Sequence, residues 1–315
     1  MSDDRLVAVV TGANRGIGKA IVRHLLLQTE KPLIVYLTAR NMDRGQAAFD
    51  ELRREQLRGG GDALHNELRL HQLDVLDIDS IQTFIDYLTL MHGEQSIDVL
   101  VNNAGGVVKR ALPADPQTAA TRAAAASPAA PETTPETTVV RTCDADTAFK
   151  TVHMNYFSAV NMTSWALPHM RRHGRVVFMV TALAHLGIFS GDLPRVLTSD
   201  ELNLNGLHII ENGFISSVGK GTYSSYGFPP MPFAVAKAGL IAYARMLART
   251  TAQDPRGLLF AAVCPGYVKT DMTGPYAPLT PDQGAETPVY VALTDSKRLK
   301  RHNGGLWKHL RPLKW

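Results

Sequence analysis

Six short runs rich in aliphatic and β-branched residues punctuate the chain, at residues 6–11, 33–38, 68–73, 99–102, 175–181 and 258–263, most of them nearly continuously apolar at the centre. A strand with one wet face alternates apolar and polar positions. A run without that alternation is buried on both faces, as in a parallel sheet covered by helices. Between the runs, apolar positions recur at helical spacing over 16–28, 44–58, 80–92, 147–169 and 233–251. This alternation predicts parallel strands joined by crossover helices, an α/β doubly wound sheet in a single domain spanning residues 1–315.

Two segments interrupt the rhythm. Residues 109–142 are dominated by Ala, Pro, Thr and Glu without any period, which predicts a low-complexity loop insertion. Residues 183–232 mix Gly, Pro, Ser and aromatics with short helical patches, a second insertion ahead of the last long helix. A long excursion inside a compact domain usually carries function.

Composition narrows the class. With 45% hydrophobic and 20% charged residues the chain is globular rather than disordered or fibrous. The longest mostly apolar run, 176–189, is too short to cross a bilayer and contains His185, so no membrane partner is expected. The acidic start, Met1-Ser2-Asp3-Asp4-Arg5, leads straight into a strand, which predicts a cytoplasmic protein without a signal peptide. Two cysteines, Cys143 and Cys264, are too few for a disulfide framework or a zinc site and read as reduced thiols. His153, His185 and His208 lack ligand-like spacing to a carboxylate, so no metal is expected. The net charge of +4 is dispersed except in the tail 297–314, which reads as a solvated end and not as a nucleic-acid surface.

The sharpest chemical signal follows the first run: Thr11-Gly12-Ala13-Asn14-Arg15-Gly16-Ile17-Gly18, directly ahead of a helical pattern. This is the Rossmann-like arrangement for a dinucleotide. Gly12 allows a tight turn, Gly16 lets backbone approach a pyrophosphate, and Gly18 lets helix pack on strand, while the helix N-terminus faces the anion with free N–H groups. At the end of the second run stands Thr38-Ala39-Arg40, where an NAD site carries an acid. Arg40, with Arg15 and Arg44, suits a 2′-phosphate instead, so NADP(H) is the expected cofactor.

These residues resemble the short-chain dehydrogenase/reductase family, whose glycine pattern has the same Thr-Gly-x-x-x-Gly-x-Gly spacing. Leu73-Asp74-Val75 is similar to its adenine-contacting element, and Asn102-Asn103-Ala104-Gly105 to its signature after the fourth strand. Asn155 matches its helix-borne catalytic asparagine, and Pro265-Gly266-Tyr267-Val268-Lys269-Thr270-Asp271-Met272 its nicotinamide-capping segment. Within the family, residues 264–272, 284–290, 38–40 and 44–48 are similar to those of the carbonyl reductases, as is the insertion ahead of Lys237. The resemblance implies a monomer that reduces a small-molecule carbonyl with NADPH.

The catalytic pattern itself is broken. Family members protonate the carbonyl oxygen with a tyrosine four residues before a lysine, so that both share one helix face and the ammonium lowers the phenol's pKa. Lys237 is present, but Phe233 stands at the tyrosine position. The serine that orients the substrate oxygen aligns with Thr181-Ala182, with Ala182 at the expected position. Loss of a positioned acid costs ~10²–10⁴ in rate, and loss of one oxyanion donor about 3 kcal/mol. Proximity alone still supplies ~7–11 kcal/mol. Candidate replacements are Tyr223 or Tyr226 from the insertion, Tyr267, whose position lines the substrate pocket in the carbonyl reductases, and Thr181 in the serine role. Phe189, Phe228, Met231 and Met272 read either as walls of an apolar cleft or as packing. Two functions stay open: a carbonyl reductase with altered proton donation, and a catalytically silent NADP(H)-binding sensor or scaffold.

Overall fold

Strands form where the apolar runs lie: β1 (Leu6–Val10), β2 (Leu33–Ala39), β3 (Glu67–Gln72), β4 (Ile97–Asn102), β5 (Met170–Met179) and β6 (Leu259–Val263). The computed structural model describes residues 5–28, 31–59, 65–108 and 144–315. The expected 109–142 loop, the Cys143 thiol and residues 1–4 lie outside the described residues. Helices α1 (Gly16–Leu27), α2 (Met42–Gly59), α3 (Ile78–His92), α4 (Ala145–Val152), α5 (Ser158–Ala166), α6 (Leu193–Thr198), α7 (Leu204–Gly219), α8 (Pro232–Thr250), α9 (Pro281–Leu293) and α10 (Ser296–Lys300) alternate with the strands or fill the insertion.

The strands make one sheet together with two more, β7 (Leu306–Lys308) and β8 (Arg311–Leu313), in the order β3-β2-β1-β4-β5-β6-β7-β8. All neighbours pair in parallel except β7 and β8. Period-2 geometry splits the core: Val7 and Val9 of β1 face one apolar cluster, with α3, α5 and α8, while Ala8 and Val10 face the other, with α1, α2 and α9. No helix among the described residues is long and apolar enough to cross a membrane.

The structure corrects two sequence expectations. The basic tail is no solvated end: β7 extends the sheet, Trp307 is 0% exposed, and the Cys264 N–H donates to the Trp307 carbonyl at 2.9 Å. The buried indole anchors the segment while β8 keeps Arg311 in solvent. The single helix expected over 147–169 is divided into α4, a π-turn at His153–Phe157, α5 and a short 3₁₀ turn at Leu167–His169 that contains Pro168.

The insertion before α8 folds mainly as α7, which packs against α4 and α8. At their junction sits Glu211, buried on α7, its carboxyl directly over Gly239 of α8, where any Cβ would collide with it. Glu211 Oε2, the Tyr156 hydroxyl and His208 Nε2 are buried there without hydrogen-bond partners among the described residues. Burial pushes the Glu211 carboxyl up to about 8, and burial with the nearby Glu211 charge raises the Tyr156 phenol.

A carboxyl whose folded pKa lies above its ordinary 4.5 keeps its proton when the unfolded chain has lost it. Its stabilising effect is therefore complete below that ordinary value and is lost as pH rises towards 8. Urea unfolding of the wild-type protein between pH 5 and 8 is expected to lose up to about 1.4 kcal/mol per pH unit. Glu211→Gln, neutral and of the same shape, should flatten that slope. Equal slopes in both proteins would show that Glu211 is ionised in the fold.

Candidate active site

The glycine turn after β1 and the loop after β4 are stitched together at Thr11. Its hydroxyl accepts the N–H of Asn103 at 3.0 Å and of Ala104 at 2.9 Å, and its own N–H donates to the Val101 carbonyl at 3.0 Å. Asn103 closes the stitch from the other side, donating Nδ2 to the carbonyls of Thr11 (2.9 Å) and Gly12 (3.2 Å). Gly12 has φ +62°, and a Cβ there would lie 3.0 Å from the Ala104 Cα. At Gly18 a Cβ would run into Asn103 Nδ2. Only glycines let the turn come this close. Helix α1 then starts without a side-chain cap and without an acid in its first turn, leaving its N–H groups for an anion. Asn14 and Ile17 are half-buried in this turn. The cradle therefore fits a dinucleotide pyrophosphate.

Three guanidinium groups stand at the edge of the cradle and all are exposed. Arg15 pairs with Asp271 at 2.8 Å, joining the glycine turn to the segment after β6, while Arg40 lies 3.9 Å from Asp74. The Arg44 N–H is held by Asn41 Oδ1 at 2.9 Å at the start of α2. Asp74 accepts the Leu76 N–H at 3.1 Å, and Val75 packs on the core.

At the other end, Gly105 and Gly106 lie on Asn155 and Lys237. Asn155 is fully buried on the π-turn, where its Nδ2 donates to the carbonyls of Gly106 (2.7 Å) and Thr151 (2.8 Å) and its Oδ1 accepts the Gly106 N–H at 3.1 Å. A Cβ at Gly105 would be 2.6 Å from Asn155 Oδ1 and 3.4 Å from Lys237 Nζ. Lys237 is only 5% exposed, and its Nζ lies 5.4 Å from the centre of the Phe233 ring one helical turn earlier. Burial without a charged partner pushes its ammonium down to about 7.

Beside α8 runs the turn that follows β5. Thr181 is half-buried and extended, its Oγ1 accepting the Leu183 N–H at 3.2 Å, whereas Ala182 exposes its methyl. The turn is held from below by Trp315, whose indole N–H donates to the Ala184 carbonyl at 2.7 Å. The capping segment is fixed by backbone bonds between Lys269 and Leu279 (2.8 Å) and between Leu279 and Tyr267 (3.2 Å). Pro265, Gly266, Tyr267 and Thr270 are half-buried there and Val268 is buried.

Not every expected residue points into this site. The Asn102 side chain turns into the core, donating to Thr163 Oγ1 at 2.9 Å. Phe189 and Phe228 belong to the core cluster, and Tyr226 is 66% exposed. No group of three or more His, Cys, Asp or Glu among the described residues could hold a metal ion. The stitching role of Asn103 and the backbone bonds of Gly106 had no sequence signal beyond their place in the glycine-asparagine run.

The model of the short chain dehydrogenase family matches residues 6–191. Carbonyl reductase (NADPH) 1 of Homo sapiens is 35% identical over 297 residues, covering 93% of this chain and 92% of the relative, and carbonyl reductase (NADPH) 3 of Homo sapiens is 35% identical over 300 residues with the same coverage. Among solved structures, menthone neomenthol reductase from Mentha piperita superposes with a TM-score of 0.72 at 26% identity, covering 96% of this chain and 98% of the other. Salutaridine reductase from Papaver somniferum reaches a TM-score of 0.77 at 24% identity, covering 96% and 99%, a likeness of fold.

The Asn103 stitch is open to a direct measurement. Asn103→Ala strands two carbonyls and should destabilise the fold by about 1–3 kcal/mol in urea unfolding. It should also weaken dinucleotide binding by about tenfold, the equivalent of 1.4 kcal/mol. Unchanged unfolding and unchanged affinity would remove the stitch from the account.

Proposed function

The chain belongs to the short-chain dehydrogenase family, and from that premise we propose that it is an NADPH-dependent reductase of small carbonyl compounds: aldehydes, ketones or quinones. The observation that carries this reading is the continuous path from the glycine cradle through Gly105 to the buried pair Asn155 and Lys237. When bound, NADPH supplies the hydride.

The chain's own residues divide the remaining work. The backbone of Gly12 to Gly18 with the α1 N-terminus holds the pyrophosphate, and Asp74, Val75 and Ala104 flank the adenosine side. Arg40, Arg15 and Arg44 receive the 2′-phosphate, and the pair Arg15–Asp271 ties the glycine turn to the segment after β6. Lys237 holds the nicotinamide ribose, Asn155 fixes the Gly105–Gly106 backbone against it, and Pro265, Gly266, Val268 and Thr270 cap the nicotinamide. The Thr181 hydroxyl, whose oxygen is used as a cap acceptor, has its hydrogen free to polarise a substrate carbonyl. Tyr267 borders the substrate side. The seating of α7 over α4 and α8 supports a monomer.

A second reading rests on one specific observation. Phe233 offers no acidic hydrogen and Ala182 no hydroxyl, so the chain could bind NADP(H) as a silent sensor or scaffold. Consumption of NADPH by purified protein over a panel of quinones, aldehydes and ketones decides between them, turnover excluding the silent reading. NADPH binding with no turnover, and turnover gained only in Phe233→Tyr with Ala182→Ser, would establish it.

Two outcomes are expected of a reductase. Phe233→Tyr should raise kcat/KM for ketones by about 10²–10⁴. Arg40→Glu should weaken NADPH relative to NADH by at least about tenfold in fluorescence titrations, since a carboxylate then faces the phosphate. Equal loss for both cofactors would place the 2′-phosphate elsewhere.

A further inference from the structure

The geometry points to Lys237 itself as the proton donor of carbonyl reduction, an assignment that rests on the reductase reading above and adds the source of the second hydrogen. Hydride addition leaves an oxyanion that must be neutralised, and the acids around the Gly105 junction are few. Position 233 carries a bare ring and position 182 a methyl. The Thr181 hydroxyl can orient an oxygen, but an aliphatic alcohol is about as weak an acid as water and cannot end as the donor.

Lys237 is placed differently. Its Nζ sits over the Phe233 ring at 5.4 Å and next to the Gly105 backbone, with no hydrogen bond to a carboxylate or carbonyl among the described residues to hold its protons. The titratable groups on the elements packed against α8 are engaged elsewhere. Glu211 of α7 and Tyr156 of the π-turn meet α8 at Gly239, about 200° around the helix from Lys237. His153 stacks between Phe149 and Phe157, His208 of α7 lies against Tyr156 and Phe157, Asp146 and Lys150 of α4 pair with one another, Arg195 of α6 pairs with Asp192, and on β5 Arg171 pairs with Asp98, Arg172 and His173 are exposed and Arg175 donates to the Val291 carbonyl of α9. No charge among the described residues thus opposes the effect of burial, which brings the Lys237 ammonium to about 7. An ammonium of that acidity protonates an alkoxide or phenolate downhill and is recharged by water near neutrality, the optimum for a general acid.

The step balances. The carbonyl carbon receives a hydride from the reduced nicotinamide, the C–O π pair moves to oxygen, a Lys237 N–H bond breaks and an O–H bond forms. Lysine is left as the neutral amine and takes a proton from solvent. Because the same side chain holds the ribose, the donor is fixed at the reacting end of the cofactor.

The test combines kinetics with a titration that needs no turnover. Competitive acetylation of the cofactor-free protein, read by mass spectrometry of the Lys237 peptide, should show amine reactivity rising with a midpoint near 7. In the wild type kcat/KM should fall about tenfold per pH unit above that same midpoint. Phe233→Tyr should abolish this coincidence. Lys237→Arg keeps a cation for the ribose but surrenders no proton, so NADPH affinity should change by less than about threefold while kcat drops about 10²-fold.

A pH-independent kcat/KM from pH 6 to 9, or an acetylation midpoint near 10, would overturn the assignment while leaving the reductase reading intact. Loss of turnover in Tyr267→Phe with Lys237→Arg still active would also overturn it. Absence of turnover in both wild type and Phe233→Tyr would overturn the reductase reading and the assignment with it. If Lys237→Arg fails to fold, the wild-type profile and the acetylation titration decide alone.

Discussion

The approach of two loops with no side chain between them is the constraint on which the site depends. The turn after β1 and the loop after β4 lie so close that a Cβ at Gly12 would touch the Ala104 backbone and one at Gly18 would displace Asn103. Closeness of that order is maintained by Thr11 and Asn103, which between them satisfy amides and carbonyls that neither loop could pair alone. The same loop continues into Gly105 and Gly106, so the bonds that shape the pyrophosphate cradle also fix the backbone over Asn155 and Lys237. One hydrogen-bonded framework thereby positions both ends of an extended cofactor. Its bonds run from the Thr11, Asn103 and Asn155 side chains to backbone groups and involve neither position 182 nor position 233.

Parts of this arrangement were legible from the chain because physics admits few residues at them. Gly12 and Gly16 hold φ values of +62° and +55°, a region that excludes ordinary side chains, so the motif announces itself. The strands β1, β2, β4, β5 and β6 announced themselves by burial on both faces. Start signals for α9 were also present, with Thr280 and Gln283 bonded reciprocally and Pro281 at the first turn, although the apolar pattern behind them was too weak to extend the helix count. Strands β7 and β8 were not legible: three residues each, set among lysines and arginines, show no periodicity, and only Trp307 discloses burial. The π-turn was equally hidden, since one extra residue in a helical turn alters no composition. Its consequence is nevertheless local and chemical: it sets Asn155, whose Nδ2 reaches both the Thr151 and Gly106 carbonyls.

Glu211 marks the clearest limit of pattern reading. A glutamate on an insertion helix reads as a solvated charge, yet this one is buried against α8. The structural reason lies on the other helix, at Gly239, where the missing side chain makes the space that the carboxyl fills. Pairwise complementarity of this kind has no signature in either segment taken alone. It also explains how α7 is held in register on α8 although its own Glu211 and His208 and the facing Tyr156 leave polar atoms unsatisfied among the described residues. Orphaned polar atoms cost stability, so the apolar contacts of Leu207, Phe214 and Val218 must exceed that cost for the helix to seat.

Helix α8 thus carries two ionisable burdens on nearly opposite sides, an ammonium at 237 and a neighbour's carboxyl at 239, too far apart in orientation to neutralise each other. Neither has a charged partner among the described residues, and burial favours the neutral form of each, raising the carboxyl and lowering the ammonium. At 237 the face of the Phe233 ring offers its negative quadrupole to the ammonium, a contact worth more in a desolvated site than in water. A phenol at 233 would keep that face and add an acidic hydroxyl, so replacement by phenylalanine removes a proton source while retaining the surface on which the lysine rests. Loss of the hydroxyl therefore carries little structural penalty and leaves the burial of Lys237 unopposed by any acid. Among the described residues against Gly105, the group with a proton to lose is the lysine, and its acidity is a consequence of the packing that holds it there.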